Sequence, residues 1–215
     1  MHPTHVPNPT ILIAGIGNVF LGDDAFGSEV ARRLELQSWP DGVRIADFGI
    51  RGRDLAYALL DGHDLVVIVD AAPRGTPPGT LSLVEPDLSV LDSSEQSATL
   101  LDAHTLDPLK ILGLARVMGA RWKRLLLVAC EPADLGGEEG RLGMSDPVRV
   151  AVDEAARMIV RLVTDVRSGG LSQSDGGTVA ATSGPQAGAK KTAIEEHVQN
   201  SSKKEPDDVW KPEQS

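Results

Sequence analysis

Cys130 is the only cysteine in this chain of 215 residues. One thiol excludes an internal disulfide and leaves an iron–sulfur or thiolate zinc site short of ligands. No stretch approaches the ~18 apolar residues that a membrane span needs. Residues 1–9 hold no Lys or Arg and no apolar core of leader length. The protein is therefore expected to be soluble and cytoplasmic, with no membrane partner. Positive charge is also scarce: 21 Lys and Arg face 31 Asp and Glu, a net charge of −10. Such a balance disfavours nucleic acid and anionic lipid, and suits a cationic partner surface or a bound metal. There is no H-E-x-x-H, no D-T-G-type motif and no pattern of a Ser or Cys triad. No internal repeat is present.

Composition divides the chain. Residues 10–166 are rich in Leu, Val, Ile and Ala and suffice for one sizeable core. From 167 to 215 the chain turns to Gly, Ser, Lys, Glu and Gln. That tail is expected to be disordered, with short helical character at most around 190–198, because it cannot bury enough apolar surface to offset its ordering entropy. It holds six basic and seven acidic residues, so the body carries −9 of the charge. Residues 1–9 are expected to be a flexible lead-in, and the protein a monomer.

Within the body, short apolar runs alternate with amphipathic stretches. Strands are expected at 10–16 (TILIAGI), 43–48, 65–70 (LVVIVD), 80–84 and 124–129. Helices are expected at 24–37, with Phe26, Val30 and Leu34 on one face, and at 52–60, burying Leu55, Leu59 and Leu60. Two more are expected at 104–119 and from Ser145 onward. Ser145 is placed as the N-cap of the last helix, with Pro147 in its first turn and Val148, Val152, Ile159 and Val163 inward. Residues 86–102 read as an irregular polar loop. The pattern predicts an α/β three-layer sandwich: a mostly parallel sheet of about five strands with helices on both faces. Its working crevice should lie outside the carboxyl ends of the strands.

Three segments converge on that crevice. Gly15-Ile16-Gly17-Asn18 follows the first strand. A dinucleotide-binding reading, with Asp47 as the ribose acid, is countered by Phe20, which stands where G-x-G-x-x-G requires glycine. Asp23 and Asp24 open the first helix. Capping suits one of them, and the other is left for a task such as metal ligation. Asp70 ends the apolar central strand, where an unpartnered carboxylate is costly to bury. His104 follows the long loop. The other histidines are less apt: His2 and His5 lie near the start, His63 in a connection and His197 in the tail. Two carboxylates and an imidazole suit a borderline divalent ion and leave coordination positions open.

The stretch Gly15–Gly27 (GIGNVFLGDDAFG) resembles the N-terminal signature of the hydrogenase maturation proteases: a G-x-G-N turn, an acidic pair and a glycine. Val67–Ala71 resembles that family's second acidic strand end. Asp102-Ala103-His104 with Leu106 resembles its histidine segment. Gly49-Ile50-Arg51-Gly52 and Cys130-Glu131-Pro132 look like further family loops. The likeness spans about residues 10–164; Ala25 departs from it where relatives often have Gly. The resemblance implies that Asp24, Asp70 and His104 contact nickel; Asp24 and Asp70 are the candidate catalytic residues, and the attacking water is activated either by the metal or by one of them as general base. It also implies the substrate: a nickel–iron hydrogenase large-subunit precursor, already loaded with nickel, that loses a C-terminal extension beside a basic residue. A rival from another class is a checkpoint or chaperone that binds the loaded precursor without cutting it. Removing the tail from 167 onward is expected to leave the thermal midpoint nearly unchanged, as a melting curve of the shortened chain would show.

Overall fold

The computed structural model describes residues 8–86, 108–137 and 140–169, all within one compact unit. The elements run β1 (Ile11–Ile16), a 3-10 turn (Gly22–Ala25), α1 (Phe26–Glu35), β2 (Val43–Gly49) and α2 (Gly52–Leu59). There follow β3 (His63–Ala71), β4 (Leu81–Val84), α3 (Pro108–Val117), β5 (Trp122–Cys130) and α4 (Asp146–Arg167). The sheet order is β2-β1-β3-β5-β4. All neighbours are parallel except β4, which runs antiparallel along the β5 edge. The expected sandwich is therefore the observed one.

Parallel strands covered on both faces need apolar side chains in both directions. In β1, Ile11 and Ile13 join one core with α1 and α4, while Leu12, Ala14 and Ile16 join the other with α2 and α3. Phe26, Val30 and Leu34 form the buried stripe of α1, each fully buried. In α4 the stripe is Val148, Ala151, Ala155, Ile159 and Val163, with Val152 only partly buried beside it.

Several expectations shift in detail. The first helix does not begin at Asp24; the acidic pair sits in the 3-10 turn, and α1 starts at Phe26. The central strand is longer than its apolar run, because His63 and Asp64 pair across to Thr10 and Arg121 before the core begins. Leu60 is 38% exposed, since α2 ends at Leu59 and turns it outward. Ser145 stands in the N-cap place but makes no side-chain cap bond; its hydroxyl goes elsewhere. The last helix includes Arg167, whose guanidinium donates to the carbonyl of Asp41 at 3.0 Å. Arg167 therefore belongs to the helix and not to the tail that was expected to begin there. The expected loop at 86–102, all but its first residue, His104 with the first turn of its expected helix, the flexible lead-in except Asn8 and Pro9, and the tail from 170 lie outside the described residues.

Strand order reverses between β1 and β3: the chain moves from β1 outward to β2, then returns to β3 on the other side. Here the carboxyl ends of two neighbouring strands diverge and leave a crevice. The first turn of α1 closes onto it. A Cβ at Gly27 would collide with the carbonyl oxygens of both Ile16 and Val69. Only glycine lets the helix backbone lie against both strand ends at once.

Phe26, next to Gly27, is fully buried in the core that also holds Val67 and Val69. Truncation to alanine should cost about 3–5 kcal/mol through lost burial and the cavity left behind. Urea unfolding would read it as a lower midpoint with an unchanged slope.

Candidate active site

The segment between β1 and α1 is held by its own backbone and by the segment after β5. Gly17 has φ +129°, and a side chain there would run into the carbonyl of Asp24. Its N–H donates to the carbonyl of Gly49 at 3.1 Å, tying the turn to the end of β2. Asn18 accepts from the N–H of Phe20 through its side chain at 3.0 Å and from Leu21 through its carbonyl at 3.0 Å. Gly22 donates to the carbonyl of Arg141 at 2.7 Å, and Arg141 donates to that of Phe20 at 2.9 Å.

The two adjacent aspartates divide their roles. Asp23 is fully buried. Its Oδ2 accepts from the N–H of Ala133 (2.7 Å), the N–H of Asp134 (3.0 Å) and the hydroxyl of Ser145 (2.9 Å); its Oδ1 accepts from the N–H of Ser145 (2.6 Å). Burial alone would push the Asp23 carboxyl up, but these four donors outweigh it and hold it below the usual carboxylate range. Asp23 is thus a structural anchor, although it caps nothing in its own turn. Asp24 is half-buried, and among the described residues the N–H of Asn18 is its one hydrogen-bond donor, at 2.6 Å to Oδ2. Burial pushes its carboxyl up and that one donor offsets only part of the rise. Of the two, Asp23 carries four of the bonds that tie the turn to distant segments, and Asp24 carries one within its own turn.

Asp70 is half-buried near the end of β3, opposite Ala129 of β5. The chain beyond it is fastened by Glu131, which is 7% exposed. Oε2 of Glu131 accepts from the N–H of Arg74 (2.7 Å), the N–H of Thr76 (3.2 Å) and the hydroxyl of Thr76 (3.0 Å). Its Oε1 accepts from the N–H of Gly75 at 3.3 Å. Nothing in the local sequence marks Glu131 for this task, because its donors lie 55 to 57 residues away.

Asp24 and Asp70 therefore lie on segments that meet at the β1–β3 switch. Gly27, in the first turn of α1, abuts the carbonyl of Val69, next to Asp70. His104 lies outside the described residues. Among the described residues no three His, Cys, Asp or Glu side chains are grouped so as to hold an ion. His63 begins β3 while Asp70 nearly ends it, a separation of about 23 Å along the strand. Its ring Nε2 lies 3.0 Å from the carbonyl of Ala58. Asp47, the would-be ribose acid, accepts instead from Gly49 N–H at 2.9 Å and pairs with Arg32 at 3.2 Å.

The lone thiol does not serve as a nucleophile. Cys130 is fully buried, and burial, then the charges of Asp23 and Glu131, push it up to about 12. At neutral pH the reactive thiolate is essentially absent.

The sheet is thus doubly wound, with a carboxylate-bearing segment from each of two neighbouring strands at its switch point. The chain belongs to the hydrogenase maturation protease family, whose model matches residues 28–162. That span includes Asp70 and His104 and begins just after Asp24. The chain is 32% identical over 158 residues to the hydrogenase expression/formation protein HoxM of Azotobacter vinelandii, covering 73% of each chain. It is 31% identical over 193 residues to HupD of Rhizobium leguminosarum bv. viciae, covering 89% of this chain and 87% of that one. Its fold superposes on the hydrogenase maturating endopeptidase HybD from E. coli with a TM-score of 0.55 and 27% identity, covering 73% of this chain and 93% of the other.

Two outcomes test this description. Asp23 has a lowered folded value, so its stabilisation is present above the unfolded carboxylate value of ~3.9 and is lost as pH falls through the lower folded one. The stability gap between wild type and Asp23→Asn should be widest above about pH 4 and should close below it, as urea midpoints across pH would show. Native protein at pH 8 should resist iodoacetamide at Cys130, and unfolding should make the residue react, as intact mass would report.

Proposed function

We propose that this hydrogenase maturation protease removes the C-terminal extension of a nickel–iron hydrogenase large-subunit precursor, and that it recognises the nickel the precursor carries through Asp24, Asp70 and His104. The observation that carries the reading is the state of Asp24. This carboxylate is half-buried, has one backbone donor, and sits beside a neighbour that does all the structural work. A desolvated carboxylate of this kind gains when a cation approaches. Asp70 supplies a second oxygen donor from the facing strand end, and His104 would supply the nitrogen. In this reading nickel belongs to the substrate and places the scissile peptide in the crevice.

The chemistry needs a water, a base and a proton for the leaving nitrogen. One of the two aspartates takes a proton as water attacks the carbonyl carbon, and returns it to the nitrogen as the peptide bond breaks. Asp24 suits that part, because burial raises its basicity. This makes the enzyme aspartic in type. The net charge of −10 complements a basic residue at the cleavage point. The same reading has the enzyme act as a cytoplasmic monomer. Among the described residues no helix is long and apolar enough to cross a membrane.

Incubation with nickel-loaded precursor, followed by intact-mass analysis, tests the whole proposal. Wild type should release a C-terminal peptide. Asp70→Asn and His104→Ala should leave the precursor uncut while keeping a native circular dichroism spectrum, and the double variant should be scarcely worse than either alone. His63→Ala should process normally. Normal cleavage by Asp70→Asn would remove that carboxylate from the mechanism. Capture of the precursor by wild type with no mass change would turn the reading to a checkpoint.

A further inference from the structure

Both carboxylates of the proposed site have a second carboxylate behind them. Next to Asp24 is Asp23, buried and bonded to Ala133, Asp134 and Ser145. Just beyond Asp70 the chain is bonded to buried Glu131 through Arg74, Gly75 and Thr76. Glu131, Ala133, Asp134 and Ser145 all belong to one connection, from the end of β5 to the start of α4. We infer that Asp23 and Glu131 are positioning residues for the cleavage reaction: through the β5–α4 connection they set the distance between Asp24 and Asp70.

The physical case rests on what each bond fixes. A buried carboxylate with three or four N–H and O–H donors is bound from several directions, and charge-assisted bonds are about twice as strong as neutral ones. Asp23 fixes the 3-10 turn on its buried side, which leaves Asp24, the next residue, on a different side of the turn. Glu131 fixes the strap from Arg74 to Thr76, which carries the chain away from Asp70. Neither residue needs to touch the substrate. Each governs where a reacting carboxylate stands, and a shift of ~1 Å in such a group can cost 10²-fold in rate.

This inference rests on reading Asp24 and Asp70 as site residues, so its test keeps the two ideas apart. The variants are Glu131→Ala, Glu131→Gln and Asp23→Asn in the full chain, assayed on nickel-loaded precursor, with amide hydrogen exchange followed in parallel. In Glu131→Ala, kcat should fall by about 10²-fold. Glu131→Gln should recover part of that loss, since its one carbonyl oxygen can keep two of the three donors now on Oε2. Exchange should quicken at 72–79 in Glu131→Ala and at 22–25 in Asp23→Asn, while β1 and β3 stay protected. Should Asp23→Asn fail to fold, Ser145→Ala, which removes a single donor, replaces it and should lower kcat in the same direction. Unchanged kcat in folded Glu131→Ala overturns the inference. So does a loss that tracks global exchange and is the same for Gln as for Ala. If wild type cuts no precursor, the proposed function fails; local quickening at both segments would still support the positional coupling, and its absence would overturn it.

Discussion

Four hydrogen bonds to the Asp23 carboxylate hold together parts of the chain that are 110 to 122 residues apart. Asp23 belongs to the turn after β1, and its donors belong to the connection between β5 and α4. The bonds are made where water is excluded, so each donor is worth keeping and an unmade one would leave a buried charge exposed to its full desolvation cost. Much of the crevice depends on this knot. It fixes the 3-10 turn and draws the hydroxyl of Ser145 away from the cap that its position suggests.

The opposite wall of the crevice is set by a different constraint, the close approach of backbones. Gly27 lies against the carbonyls of Ile16 and Val69, and Gly17 against that of Asp24. Side chains would hold these segments apart. Because they are absent, α1 seals directly onto the ends of β1 and β3, and the two acidic segments are brought to one edge of the sheet. The buried stripe of Phe26, Val30 and Leu34 holds the helix down from behind.

These two constraints give the site its electrostatic character. One aspartate is saturated with donors and held ionised, and its neighbour is nearly without them, so burial pushes its carboxyl up. Two adjacent acids are thus shifted in opposite senses, one by its donors and the other by burial. The same buried charges, with burial itself, silence Cys130.

The sequence by itself determined the layers, the parallel core and the edge at which function sits. Apolar runs of strand length, helical stripes such as Phe26–Val30–Leu34, and glycines after the first strand are local features, and burial of both sheet faces follows from them. The motif around Gly15–Gly27 also pointed to the family and to the acidic pair. Which member of that pair ties the turn to distant segments was decided only by the tertiary structure. Ala133 and Ser145 are distant in the chain, and a donor that arrives from more than a hundred residues away leaves no trace beside Asp23. Glu131 was opaque for the same reason, since its partners at Arg74, Gly75 and Thr76 are contributed by another strand connection. Ser145 shows the reverse: its local pattern called for a cap, and a buried carboxylate nearby outcompeted the helix end for its hydroxyl.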